Sequence, residues 1–160
     1  MKSFTIYVAS AMTGFTYQET KQRFLPIVNK LRSYGFTVLH PLLWEKEQKN
    51  NTKISAFCKK ETKENNNHAI TTRDRWMVMQ SDIVFMDLSG TTQVSIGCMG
   101  ELAWGRAYNK HTIVIMEAGN CHEHAFVFDN ANVVFRHIED ALEYLEKFQT
   151  VWSHDELQNL

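Results

Sequence analysis

The chain has 160 residues, 44% of them hydrophobic, with a formal net charge of −1 at pH 7. That length supports one globular domain over 1–160, and the charge excludes the basic field that gathers nucleic-acid polymers or a membrane surface. No apolar run is long enough for a bilayer span or a signal peptide, and Cys58, Cys98 and Cys121 are odd in number and lack CxxC spacing, so a reducing cytoplasm is the expected compartment.

Residues 4–9 read as a first strand, short, β-branched and aromatic, with 10–14 as its exit loop. Phe24, Leu25, Val28 and Leu31 recur at helical spacing, predicting a helix over 17–34 that Gly35 stops. A second strand covers 36–39. Residues 45–67 are rich in Lys, Asn, Glu and Gln, which suggests a mobile lid or edge insertion with a short helix near 54–60. A helix over 69–80, with Trp76, Met77 and Met79 on its apolar side, leads into a strand over 82–88. Small residues at 95–100 then precede a helix beginning at Glu101, followed by strands over 111–116 and 133–135. A closing helix over 138–148 buries Ala141, Leu142 and Leu145, and 149–160 form a surface tail or subunit contact. This alternation predicts an α/β fold with a five-stranded parallel sheet and helices on both faces.

In such a sheet, residues past the carboxyl ends of the strands converge on one crevice. Glu101 is expected in the first turn of its helix, facing a cleft opened by Gly97 and Gly100, with Tyr7 on the first strand and Asp74 on the helix feeding the third. Two carboxylates and a phenol suit displacement at a sugar carbon: one carboxylate attacks, the other manages a proton, and the phenol orients the attacker and holds it ionised. Each residue also has an ordinary reading: a core tyrosine, an exposed helix charge and a helix-dipole partner.

Taken together, the blocks Tyr7-Val-Ala-Ser-Ala-Met-Thr-Gly14, Arg73-Asp-Arg-Trp76 with Gln80-Ser-Asp-Ile-Val84, and Gly97-x-x-Gly-Glu-Leu-Ala-Trp-Gly105 resemble the nucleoside 2-deoxyribosyltransferase superfamily, which includes nucleoside 5′-monophosphate N-glycosidases. The likeness runs from about 4 to 148, with 45–67 poorly matched. It implies a flavodoxin-like fold, no cofactor, a small nucleoside or nucleotide substrate and a homodimer or higher homo-oligomer, with 121–128 as the segment that reaches across. By position it makes Glu101 the nucleophile at C1′, Asp74 the group that handles the proton of the departing base, and Tyr7 the hydrogen-bond donor to the nucleophile. Ser95 stands six residues before Glu101, where transferases acting on free nucleosides commonly carry Asp. A hydroxyl there accepts a phosphate that an Asp would repel, which favours a monophosphate substrate. Against that, Ala11 occupies the position of a second phosphate-binding Ser, with Ser10 and Thr13 as neighbouring hydroxyls.

The substrate-binding set expected around these residues is Ser10, Ala11, Met12, Thr13, Gly14, Ser95 and Gly97, with His40 after the second strand and His124 near the phosphate. Cys121, His122 and His124 stand at i, i+1 and i+3, which does not give a closed metal site, so no metal is expected. Cys98 has no partnered base, so no thiol nucleophile is expected. The leading function is N-glycosidic cleavage of a deoxynucleoside 5′-monophosphate. Its alternatives are deoxyribosyl transfer between bases and a non-catalytic nucleotide sensor.

Overall fold

Runs rich in β-branched and aromatic residues form strands β1 (Thr5–Ser10), β2 (Thr37–Leu39), β3 (Ile83–Asp87), β4 (His111–Ile115) and β5 (Val133–Phe135) in the computed structural model, which describes residues 3–44, 53–58, 62–63 and 65–153. All pair in parallel, in the order β2-β1-β3-β4-β5. The order reverses between β1 and β3, the switch point at which doubly wound sheets open a ligand crevice.

Successive strand residues face opposite sides. Ile6, Val8, Ile83, Phe85, Ile113 and Ile115 pack beneath helices α1 (Tyr17–Ser33) and α5 (Ile138–Ser153). Tyr7, Ala9, Val84, Met86 and Val114 face α2 (Asn67–Gln80), α3 (Ile96–Ala107) and α4 (Ala125–Asn130). A capping box starts α1: the Glu19 amide donates to Thr16 Oγ1, and the Thr16 amide donates to the Glu19 carboxylate. Gly35, at φ 95°, ends the helix in a conformation that side chains resist. Close packing of α3 on the sheet depends on Gly105, where an added Cβ would stand 2.8 Å from Thr112 Cγ2.

Several expectations change. Residues 53–58 form no helix; Lys53 instead makes an antiparallel bridge to Thr16, and residues 59–61 lie outside the described residues. On α2 the buried pair is Met77 and Val78, while Trp76 is 52% exposed and Met79 is exposed too, because only a narrow stripe of this helix meets the sheet. Helix α5 continues to Ser153, so 149–153 extend it rather than begin a tail. The helix α4 within 121–130 had no counterpart in the periodicity. No described helix is long and apolar enough to cross a membrane.

Candidate active site

Because β1 is central, Tyr7 is fully buried and faces the α3 side of the sheet. On α3, Cys98, Glu101, Leu102 and Gly105 form the buried stripe, a helical spacing that turns Glu101 inward. The two meet: the Tyr7 hydroxyl donates to Glu101 Oε1 at 2.6 Å, and Glu101 is only 8% exposed. Asp74, partly buried on α2, is close enough for its charge to act on both groups. The three side chains assigned to catalysis therefore share one neighbourhood.

Burial, and then the Asp74 carboxylate, push the Glu101 carboxyl up to about 8, while the Tyr7 hydrogen bond opposes the shift. The expectation that the phenol holds Glu101 ionised is therefore corrected: its hydrogen bond is present but outweighed by burial and Asp74. Tyr7 itself is raised well above a normal phenol by burial and both carboxylates, so it remains a donor. Burial, with the charge of Glu101 adding to it, also raises the Cys98 thiol, which keeps it protonated and unreactive.

Helix α3 begins at Ile96, so Glu101 lies in its second turn and not its first. Ser95 is the N-cap, its Oγ accepting from the Cys98 amide at 3.3 Å. Gly97 and Gly100 have nothing within 4 Å of where a Cβ would stand, leaving open space beside the helix start.

The first-loop residues divide. Thr13 and Gly14 are exposed, Met12 is partly buried against the α1 core, and Ala11 is buried. The Gly14 amide donates to the Ile54 carbonyl at 3.1 Å, tying this loop to 53–58. Ser10 pairs in register with Asp87, on the strand face opposite Tyr7, and its buried Oγ has no hydrogen-bond partner. His40 is buried against Phe24 on that same α1 side, so it does not face the Glu101 side of the sheet. Its imidazole is lowered to about 4 by burial, with the Arg32 charge adding to the effect. His124 is exposed, caps α4 by accepting from the Phe126 amide, and stacks on the Phe126 ring.

Sequence reasoning missed two groups. Arg23 reaches from α1 to pair with Asp87 at 3.5 Å and to donate to the Ser89 carbonyl at 2.8 Å. Asp87 ends β3 and also accepts from the Ser89 amide. Its position at a strand's carboxyl end was a usable signal; Arg23 gave none. The other is His122, only 1% exposed, whose Nε2 accepts from the Ser95 amide at 2.9 Å. On the far side of α3, an apolar groove of about 420 Å³ runs toward α4, lined by Met99, Leu102, Phe126 and Val127 among others. Glu101 is not part of it.

The nucleoside 2-deoxyribosyltransferase family matches residues 6–148 of this chain. No curated protein matches it. Among solved structures, a conserved protein from Enterococcus faecalis V583 is similar at 15% identity and TM-score 0.65, over 91% of this chain and 99% of its own. A CMP N-glycosidase from Clostridium botulinum aligns at 15% identity and TM-score 0.57, over 90% and 98%. A 2-desoxiribosyltransferase from Leishmania mexicana aligns at 16% identity and TM-score 0.59, over 90% and 97%. These three share the fold.

Proposed function

The chain belongs to the nucleoside 2-deoxyribosyltransferase family, and on that premise we propose that it cleaves the N-glycosidic bond of a (deoxy)nucleoside 5′-monophosphate. The observation that carries this reading is the buried 2.6 Å hydrogen bond from Tyr7 to Glu101 with Asp74 alongside. Tyr7 occupies Oε1, which leaves Oε2 to attack C1′. As the Oε2–C1′ bond forms, the C1′–N bond breaks and the base departs with a proton from Asp74. Water then attacks C1′, Asp74 takes its proton, and the carboxylate of Glu101 is released.

The raised Glu101 carboxyl has a use in this scheme. At neutral pH the proton of the pair rests on Glu101 beside the Asp74 carboxylate; its transfer to Asp74 leaves Glu101 ionised for attack and supplies the proton that the leaving base takes. Ser95 supports the monophosphate: a neutral side chain and the α3 N-terminus stand where an Asp would repel the anion. Transfer of the sugar to a second base uses the same intermediate with a base in place of water, and the family's description supports it as the second reading.

Incubation with a panel of nucleosides and their 5′-monophosphates, followed by chromatography for free base, tests the proposal. Base release from a monophosphate, lowered at least ~10³-fold in a folded Glu101→Ala variant, is expected. Release that persists in the variant, or nucleotide binding without release across the panel, overturns it. The acceptor is identified by adding a second free base and looking for a new nucleoside.

A further inference from the structure

His122 lies in the β4–α4 connection, yet its amide and both ring nitrogens are committed. The Asn120 amide fixes the pattern: its Nδ2 donates to the Leu88 carbonyl at 2.9 Å and to Glu117 Oε1 at 3.0 Å. Asn120 Oδ1 must therefore accept, and it stands 2.9 Å from both the His122 amide and His122 Nδ1. The Thr91 hydroxyl spends its proton on the Leu88 carbonyl at 2.7 Å and leaves only a lone pair toward Nδ1. Nδ1 thus carries the imidazole proton. Nε2, bare, accepts from the Ser95 backbone amide at 2.9 Å.

That last contact bears on the site, because Ser95 caps the helix that presents Glu101 in its second turn. We propose that His122 is a positioning residue, a neutral Nδ1–H imidazole that anchors the Ser95 amide and with it the α3 turn that receives the 5′ end of the substrate. The proposal rests on the substrate reading above. A proton on Nε2 would set one N–H against another and push Ser95 away, so the anchor holds only while the ring is neutral. The ionisable groups facing the ring are the Glu117 carboxylate, which favours the protonated form, and the Cys121 thiol, 3.4 Å from Nδ1. Burial outweighs Glu117 and holds the imidazole below its ordinary value. Neutral at pH 7, the ring gives way only in acid.

Two substitutions separate anchoring from bulk structure. In His122→Gln the side-chain oxygen reaches the Nε2 position and keeps the acceptor; in His122→Asn the amide reaches only the Nδ1 position and the acceptor is lost. With a 5′-monophosphate as substrate, KM should rise about tenfold in the Asn variant with a smaller change in kcat, and return to within about threefold in the Gln variant. The wild type should lose kcat/KM on acidification more steeply than the Gln variant does. Imidazole nitrogen NMR should show a protonated Nδ1 and a bare Nε2, and the Ser95 amide should exchange slowly in the wild type and rapidly in the Asn variant. An Nε2–H tautomer, or an active wild type whose KM the Asn change leaves untouched, overturns the inference alone. A wild type that releases no base overturns the substrate reading, and the positioning assignment falls with it.

Discussion

The two faces of the sheet come from the same strands but hold very different interiors. Beneath α1 and α5 the strands contribute Ile6, Val8, Phe85, Ile113 and Ile115 to a packed apolar layer. Toward the amino ends of the strands, on the α5 side, it is extended by the aromatic contacts among Phe4, His111, Tyr144 and Phe148. Beneath α2 and α3 the layer includes a buried phenol bonded to a buried carboxyl, with a second carboxylate near both. Strand alternation makes this separation possible: Tyr7 faces the buried Glu101 carboxyl, whose ionised form is costly there, while Ile6 and Val8, one residue either way, pack on the opposite face. Both faces carry a buried apolar layer, and the α2 and α3 face differs in setting the Tyr7–Glu101 pair inside its own.

If that division is real, the two faces respond differently to truncation. Phe24→Ala on α1, where Phe24 is buried, should cost about 3–5 kcal/mol of stability, yet leave kcat/KM of the folded fraction close to wild type. Tyr7→Phe should do the reverse, lowering kcat/KM on the order of 10²-fold with a stability change of about 1 kcal/mol. Urea denaturation and steady-state assays on both proteins check this, and matched losses in both quantities would break the comparison.

Glu101→Gln sharpens it further. The folded carboxyl is raised from 4.5 to about 8, so the folded protein keeps a proton that the unfolded chain releases across that window. Wild-type stability contributed by this group is therefore intact below about 4.5 and is lost as pH climbs toward 8. Gln has no such titration, so the inactive variant should be equal to wild type near pH 4 and more stable by about 1–3 kcal/mol near pH 8. Denaturation at the two pH values decides it; a gap that does not grow with pH removes the buried-charge account.

Much of the scaffold was legible because its signals are local. Helical spacing and the Gly35 stop delimit α1, and the predicted 17–34 compares with Tyr17–Ser33. Residues 133–135 read directly as β5. The start of α3 was misread because Gly97 and Gly100 look like a loop; the Ser95 cap and the burial of Cys98 override their weak helix propensity. Trp76 and Met79 were misassigned because apolar character was taken for burial. Tyr7 and Glu101 are 94 residues apart, so no local pattern joins them; the convergence of strand ends in a parallel sheet put them in one crevice, and the family resemblance gave each its role. The anchor formed by His122 was invisible for the same reason: its partner is a backbone amide, which every residue but proline possesses.

The smallest expected effect is the most discriminating for how α3 is seated. Ala at Gly105 gains about 1 kcal/mol of helix propensity. Its Cβ, however, would stand 2.8 Å from Thr112 Cγ2 and 3.1 Å from Val84 Cγ2. Thr112 cannot turn away freely, because its hydroxyl donates to the Asn130 carbonyl at 2.7 Å and the Asn132 amide donates to it at 3.0 Å. The helix must lift instead, at a cost of about 1–3 kcal/mol that the propensity gain partly offsets. Net stability should therefore change by only about 1 kcal/mol. Glu101 sits one turn earlier on the same face, so a lift of a few tenths of an ångström lengthens its hydrogen bond to Tyr7, and kcat/KM should fall about tenfold. A Gly105→Ala protein with full activity would mean that α3 absorbs the methyl without moving, and that Glu101 is held by its hydrogen bond to Tyr7 rather than by the seating of its helix.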